Sequence, residues 1–271
     1  MVARRTDYTA DAVKAARSVL LELTHLLGEY RDDIVVVGGW VPELLLGPHV
    51  GTMDVDLALN HPALQEQGYK TIRELLRSHG YHEASQPFIF FRTVRNGGQE
   101  FRVEVDLLAG EYAGTGKSHR TQQMLDVRGR KARGCDLAFE MSSEVMIQGI
   151  LPDGAEDSAI VRVASIVPYL VMKGMALYDR MKEKDAWDVY YCLCHYPGGL
   201  DGLAQEFLPH MGHGLVREGL LKIAEKFASP NHVGPSWVVD FDGLTEPEAR
   251  AITQRDAHEH VSELLNKLGL P

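Results

Sequence analysis

Apolar residues recur at helical spacing from Val13 through Ala16, Leu20 and Leu23 to Leu27, which predicts a helix over residues 10 to 30 closed by Gly28. After it, DIVVV at 33 to 37 reads as a buried strand, VPELLL at 41 to 46 as a short helix opened by Pro42, and MDVDLAL at 53 to 59 as a second strand. Residues 62 to 80 have a helical pattern ended by Gly80, and the runs at 87 to 95 and 100 to 108 pair as a hairpin around NGG. The polar, Gly-bearing stretch 111 to 133 reads as irregular, with short strands expected around 135 to 150 and 159 to 164. From Pro168 the pattern turns helical, with segments at 168 to 181, 185 to 195, 201 to 228 and 245 to 268. The fold class expected is α+β: a mixed sheet backed by helices over residues 1 to 165, followed by a mainly helical C-terminal part over 166 to 271.

Composition narrows the possible partners. With 45% hydrophobic residues the 271-residue chain can bury a core, and a net charge of −10 excludes a surface coated with positive charge for nonspecific nucleic-acid binding. A local basic patch is still available in KSHRTQQMLDVRGRKAR, where Lys117, Arg120, Arg128, Arg130, Lys131 and Arg133 face the lone Asp126. That run is either a site for an RNA backbone or a solvated loop. Of three cysteines, Cys135, Cys192 and Cys194, the last two sit two apart in an expected helix, a spacing that suits neither a disulfide framework nor a zinc site, and they read as small buried hydrophobes in a reducing compartment. The twelve histidines form no ligand pattern, and His258 and His260 fall on different faces of a helix. Trp187, Tyr190 and Tyr191 read as packing residues. Asp7, Asp11 and Lys14 interrupt any signal-peptide core and no apolar run reaches membrane-spanning length, so a cytoplasmic protein without membrane contact is expected.

The chemistry begins at Asp54 and Asp56. Side chains on a strand alternate, so these two carboxylates share a face with their Cα atoms about 6.5–7 Å apart, while Val55 and Leu57 take the other face. Two carboxylates this close repel unless a cation holds them, and hard oxygen donors suit Mg²⁺. Asp106 in RVEVDLL is a third candidate, with Glu104 on the same face as a reserve. Three carboxylates from two strands can hold two metals about 3.5–4 Å apart, as phosphoryl displacement requires. Gly38 and Gly39, between a strand and a helix start, allow backbone amides to approach a triphosphate, or they simply make a tight turn.

This order of a hydrophobic strand, Gly38-Gly39, a gap, Asp54-x-Asp56 and the later Asp106 resembles the DNA polymerase β-like nucleotidyltransferases. A second stretch, VPYLVMKGMALYDRMKEKDAWDVYYCL at 167 to 193, is similar to the AbiEii/AbiGii toxin family within that superfamily, with Lys173, Arg180, Lys184, Asp185 and Asp188 matching its pattern. The two matches together span residues 34 to 193. The resemblance implies an NTP substrate, a two-metal Mg²⁺ site on Asp54, Asp56 and Asp106, and active-site roles for Lys173 and Asp188. It also implies a toxin that nucleotidylates tRNA, with an antitoxin partner from a neighbouring gene. Trp40 stands where that superfamily often has a small hydroxyl residue, and Thr52 is either the replacement hydroxyl at the nucleotide or a β-branched residue entering a strand.

The second stretch has a geometric requirement of its own. A continuous helix would separate Lys173 from Asp188 by about 22 Å, so the helix must break in RMKEKD if both are to act together. Asp185 reads as the N-cap of the next helix, and Asp188 as either a first-turn carboxylate or a site residue. Lys173, inside PYLVMKGMAL, is either a snorkelling side chain or, as the resemblance favours, a cation for the departing pyrophosphate. Two other functions use the same elements. One is a nucleotidyltransferase for a small molecule such as an antibiotic, and the other is a non-catalytic nucleotide-binding interaction protein.

Overall fold

The structure is a computed structural model that describes residues 4–60, 72–86, 88–109, 121–124, 127–180 and 182–271. The chain separates into two compact units. One holds Tyr8–Leu45 and Gly51–Ser165, and the other holds Ile166–Pro271 with Leu46–Val50 and the segment ending at Asp7.

In the first unit, α1 (Ala10–Leu26) starts where the Thr9 hydroxyl accepts from the amide of Ala12, and its apolar stripe of Ala16, Val19, Leu20 and Leu23 is buried across the sheet. A 3-10 turn over Gly28–Asp33 leads into β1 (Ile34–Val37), whose four residues are all buried. Then follow α2 (Trp40–Leu46), β2 (Asp54–Leu59), α3 (Ile72–Ser78), β3 (His82–Glu83), β4 (Ile89–Asn96) and β5 (Gln99–Ala109). The hairpin between β4 and β5 turns on Gly97 and Gly98, with φ of 59° and 81°, the pair of positive values that a two-residue turn of this hand requires. The strands β6 (Thr121–Met124) and β7 (Val127–Lys131), the short helix α4 (Leu137–Glu140), and the hairpin of β8 (Ser142–Ile150) with β9 (Glu156–Ala164) complete the unit.

Nine described strands form one mixed sheet in the order β3-β4-β5-β2-β1-β9-β8, with β7 also paired to β5 and β6 to β7. Three pairings are parallel: β1 with β9, β2 with β5, and β5 with β7. The expectation of an irregular stretch over 111 to 133 is therefore corrected for 121–124 and 127–131, where a backbone ladder adds to β5 in a segment whose polar residues carry no apolar alternation. Residues 62–71 of the expected 62 to 80 helix lie outside the described residues, and the described part runs from Ile72 to Ser78.

The second unit is helical, as expected: α5 (Ile166–Asp179), α6 (Glu183–His195), α7 (Gly199–Phe207), α8 (Gly214–Lys226), α9 (Val233–Phe241) and α10 (Pro247–Lys267). The single helix expected over 201 to 228 is two helices with a 3-10 turn between them, because Pro209 removes an amide donor and Gly212 favours a turn. The sequence pattern did not disclose α9: Gly234 and Pro235 punctuate its start, where a missing amide is tolerated. Tyr169, Phe207, Phe227 and Phe241 fill this core. Among the described residues no helix is long and apolar enough to cross a membrane.

Backbone contact between α5 and α8 is unusually close. A Cβ on Gly174 would lie 2.2 Å from the Gly219 carbonyl oxygen, and one on Gly219 would lie 2.8 Å from the Val171 Cα. Substituting Gly174→Ala must push the two helices apart, so a loss of about 1–3 kcal/mol is expected in urea unfolding despite alanine's better helix propensity. Unchanged or increased stability would show that this helix pair has slack.

Candidate active site

The parallel pairing of β2 with β5 sets Asp56 beside Asp106 and Asp54 beside Glu104. Neighbouring strands are about 4.8 Å apart, so four carboxylates, not three, line adjacent positions on this part of the sheet. Asp54 and Asp56 are half-buried, while Val55 and Leu57 are buried on the opposite face as period-two alternation requires. Asp106 is only 5% exposed.

The segment after β1 grips this wall. Because β1 runs antiparallel to β2 with Val37 opposite Asp56, the chain leaving β1 passes directly over the carboxylate. A Cβ on Gly38 would lie 1.9 Å from Asp56 Oδ2, and Gly38 also holds φ of 68°. At Gly39 the obstacle is Thr52, whose Cβ and Oγ1 would lie 2.7 and 2.8 Å from an added Cβ. Thr52 Oγ1 in turn donates to Asp54 Oδ1. Trp40, fully buried, donates from its indole nitrogen to the Asp54 carbonyl at 2.9 Å. Both glycines therefore make room for side chains that meet or support the wall, and the residue that departed from the superfamily pattern, Trp40, ties down the strand carrying it.

An all-oxygen donor set of closely spaced carboxylates fits a hard cation such as Mg²⁺. Cys135 lies nearby but supplies no thiolate: burial, then the charges of Asp136 and Asp56, push its thiol well above the ordinary range.

In the helical unit, α5 and α6 break between Asp179 and Glu183, and the break brings Lys173 to Asp188. Lys173 Nζ lies 2.7 Å from both Asp185 Oδ1 and Asp188 Oδ2. Arg180 adds bonds to Asp185 at 2.8 and 2.9 Å, and Lys184 reaches Asp188 at 2.8 Å. Burial opposes the charged forms of Lys173, Asp185 and Asp188, and their partners more than offset it. Lys173 and Arg180 bring Asp185 down to about 2, Lys173, Lys184 and His49 hold Asp188 well below the carboxylate range, and the two aspartates hold Lys173 above its own. The N-cap reading of Asp185 is corrected: Lys182 is the cap residue, and Asp185 sits inside the first turn of α6, where two cations claim its oxygens.

His49 is the residue that the sequence did not disclose. Its Nε2 lies 3.0 Å from Asp188 Oδ1, and because an ionised carboxylate only accepts, the neutral ring donates. The ring stands edge-on to Tyr191 at 4.7 Å and tilted against Trp187 at 5.1 Å. Tyr191 donates to the Pro48 carbonyl and Trp187 to Asp242, so both aromatics pack and brace. No fixed spacing links position 49 to position 188, which leaves sequence patterning without a signal. Of the basic run, Lys117 and Arg120 lie outside the described residues, and Arg128, Arg130 and Lys131 are described by backbone alone.

No protein-family model and no curated protein matches this chain. Among solved structures, JHP933 from Helicobacter pylori is similar over 96% of this chain and 94% of its own, with 13% identity and a TM-score of 0.46. A candidate nucleotidyltransferase from H. pylori is similar over 94% of this chain and 96% of its own, with 13% identity and a TM-score of 0.45. Overlap this loose transfers no residue's role.

Burial, outweighing the pull of Asp188, lowers the pKa of His49 below its ordinary 6.5. Between that lowered value and 6.5 the unfolded chain binds a proton that the folded one refuses, so stability falls as pH drops through this window. The slope from this one group is at most about 1.4 kcal/mol per pH unit. The His49→Gln variant keeps an amide donor for Asp188, so its unfolding free energy should lose this slope in the window just below pH 6.5 while keeping the deeper acid loss below pH 3.8 that Asp185 and Asp188 cause. An unaltered slope would remove His49 as its source.

Proposed function

We propose that this chain is a Mg²⁺-dependent nucleotidyltransferase of the DNA polymerase β-like kind, moving a nucleoside monophosphate from an NTP to an acceptor hydroxyl. One observation carries the reading: Asp54 and Asp56 on β2 lie in parallel register with Glu104 and Asp106 on β5, with Gly38 packed without a side chain against Asp56. Asp54, Asp56 and Asp106 would hold the cation, which when bound supplies charge neutralisation for the triphosphate and a more acidic acceptor hydroxyl.

In this reading the acceptor hydroxyl gives its proton to Asp106, its oxygen bonds the α-phosphorus, the bond from that phosphorus to the β-phosphate oxygen breaks, and pyrophosphate leaves with the electron pair. Thr52 and Trp40 hold Asp54 in place through its side chain and its carbonyl. Gly38 and Gly39 offer backbone amides to the triphosphate. Lys173 Nζ already bridges Asp185 and Asp188, which supports a role for Lys173 and Asp188 in holding α5 to α6 within the helical unit.

The finer assignment is a toxin acting on tRNA, countered by an antitoxin. It is supported by the resemblance over residues 167 to 193 and by the basic run at 117 to 133. Purified protein incubated with each α-³²P-labelled NTP, Mg²⁺ and total tRNA should label the tRNA. Asp56→Asn should lower labelling by about 10²-fold or more, and Gly38→Ala by about 10²-fold through displacement of Asp56. Mg²⁺-dependent NTP binding without labelled tRNA would remove tRNA as acceptor, and labelling that survives Asp56→Asn, or no NTP binding at all, would overturn the transferase reading.

A further inference from the structure

The helical unit brings together three side chains that the chain keeps far apart in sequence. Cys194 is the penultimate residue of α6, and Asp256 and His260 lie one turn apart on α10, which packs against α6. One ligand atom from each, the thiol sulfur, a carboxylate oxygen and a ring nitrogen, lies within 4.8 Å of the others. We propose that Cys194, Asp256 and His260 bind a thiophilic divalent cation of the zinc type, at a site sharing no residue with the carboxylate wall.

Donor chemistry, spacing and support argue for it. A mixed sulfur, nitrogen and oxygen set is the one zinc prefers, and it differs in kind from the all-oxygen wall. Tetrahedral zinc with bonds near 2.0–2.3 Å holds its ligands about 3.3–3.8 Å apart, so closing the site asks for side-chain shifts of about 1 Å. Two of the donors are already braced: the Tyr190 hydroxyl donates to Asp256 Oδ2, and His260 Nδ1 lies 2.9 Å from the Asp256 carbonyl oxygen, with the tautomer deciding which ring nitrogen carries the lone pair. Such outer contacts orient metal ligands in established sites. Cys194 also sits at the carbonyl-rich end of α6, whose dipole favours a cation. Of the three cysteines, Cys135 and Cys192 are 0% exposed, whereas Cys194 is exposed; partial burial raises its thiol to about 11, so a bound metal must displace that proton.

The sequence expectation was that neither the cysteines nor the histidines offer a zinc site. That expectation considered only local spacing, and these ligands come from two helices. On binding, the Cys194 thiol proton passes to solvent and the sulfur takes the metal, while the remaining coordination position is left to water.

Metal-free, full-length protein titrated with Co²⁺ should develop a thiolate-to-cobalt charge-transfer band with the visible bands of tetrahedral cobalt, reversed by Zn²⁺. The band should vanish in Cys194→Ser and His260→Ala, persist in Asp56→Asn, and persist in Tyr190→Phe with zinc affinity lowered about 10- to 100-fold. Far-UV circular dichroism of each variant separates ligand loss from misfolding. Independently of any variant, Zn²⁺ should slow iodoacetamide alkylation of Cys194 at least tenfold. A charge-transfer band that survives Cys194→Ser, or no band together with unprotected alkylation, overturns the site.

Discussion

The Asp56 carboxylate occupies the space that a Cβ on residue 38 would need, and the arrangement of the first unit around it follows from that contact. The chain leaves β1, turns over Asp56 on two glycines, forms α2, and returns as β2 antiparallel to β1, so the turn and the carboxylate are opposed by the register itself. Any side chain at 38 would either lift the turn from the sheet or swing Asp56 out of line with Asp106. Thr52 and Trp40 fix the same strand from its side chain and its backbone. Residues 34–45 and 51–59 are thus one mechanical element, in which backbone conformation, sheet register and carboxylate position cannot vary independently.

The helical unit handles buried charge by the opposite route. At the wall, like charges stand side by side and fit an outside cation. Around Lys173, Asp185 and Asp188, cations and carboxylates of the chain neutralise one another at 2.7 Å in the interior. Such a network adds little net stability, because desolvation consumes most of its Coulombic gain, and an apolar replacement of the same shape is often as stable. Its physical effect is directional. The ion pairs of Lys173 on α5 with both aspartates on α6 tie the two helices together at a defined register. His49 extends that restraint to the segment Leu46–Val50 through a neutral hydrogen bond.

What the sequence disclosed follows from the range of the interactions involved. The strands β1 and β2, the hairpin of β4 and β5, and the helices α1, α5 and α6 were legible because apolar period and turn glycines act over a few residues. The shared face of Asp54 and Asp56 was legible for the same reason. Which strand lies beside β2 is a long-range matter, so the pairing of Asp56 with Asp106 and of Asp54 with Glu104 needed the structure. The misreadings have local causes: Asp185 has the composition and position of a cap but answers to Lys173 and Arg180, and Gly234-Pro235 mark a helix start that looks like a loop. His49 and the Cys194, Asp256 and His260 cluster join distant segments and leave no periodic trace.

The two donor clusters differ in kind, and that difference bears on which cation each would take. Borderline metals such as zinc bind almost any nitrogen, oxygen or sulfur site more tightly than magnesium does, so affinity alone would let zinc invade the carboxylate wall. Ligand type and access set the division. At the wall the nearby thiol, Cys135, is fully buried and held protonated by its surroundings, which leaves oxygen donors to face a cation. On α6 and α10 the thiol is exposed, with an imidazole and a carboxylate beside it, so a thiophilic ion gains most where sulfur can reach it. A chain that holds an exposed thiol on one unit and paired carboxylates on the other would offer each metal its preferred donors, without requiring either site to discriminate on affinity alone.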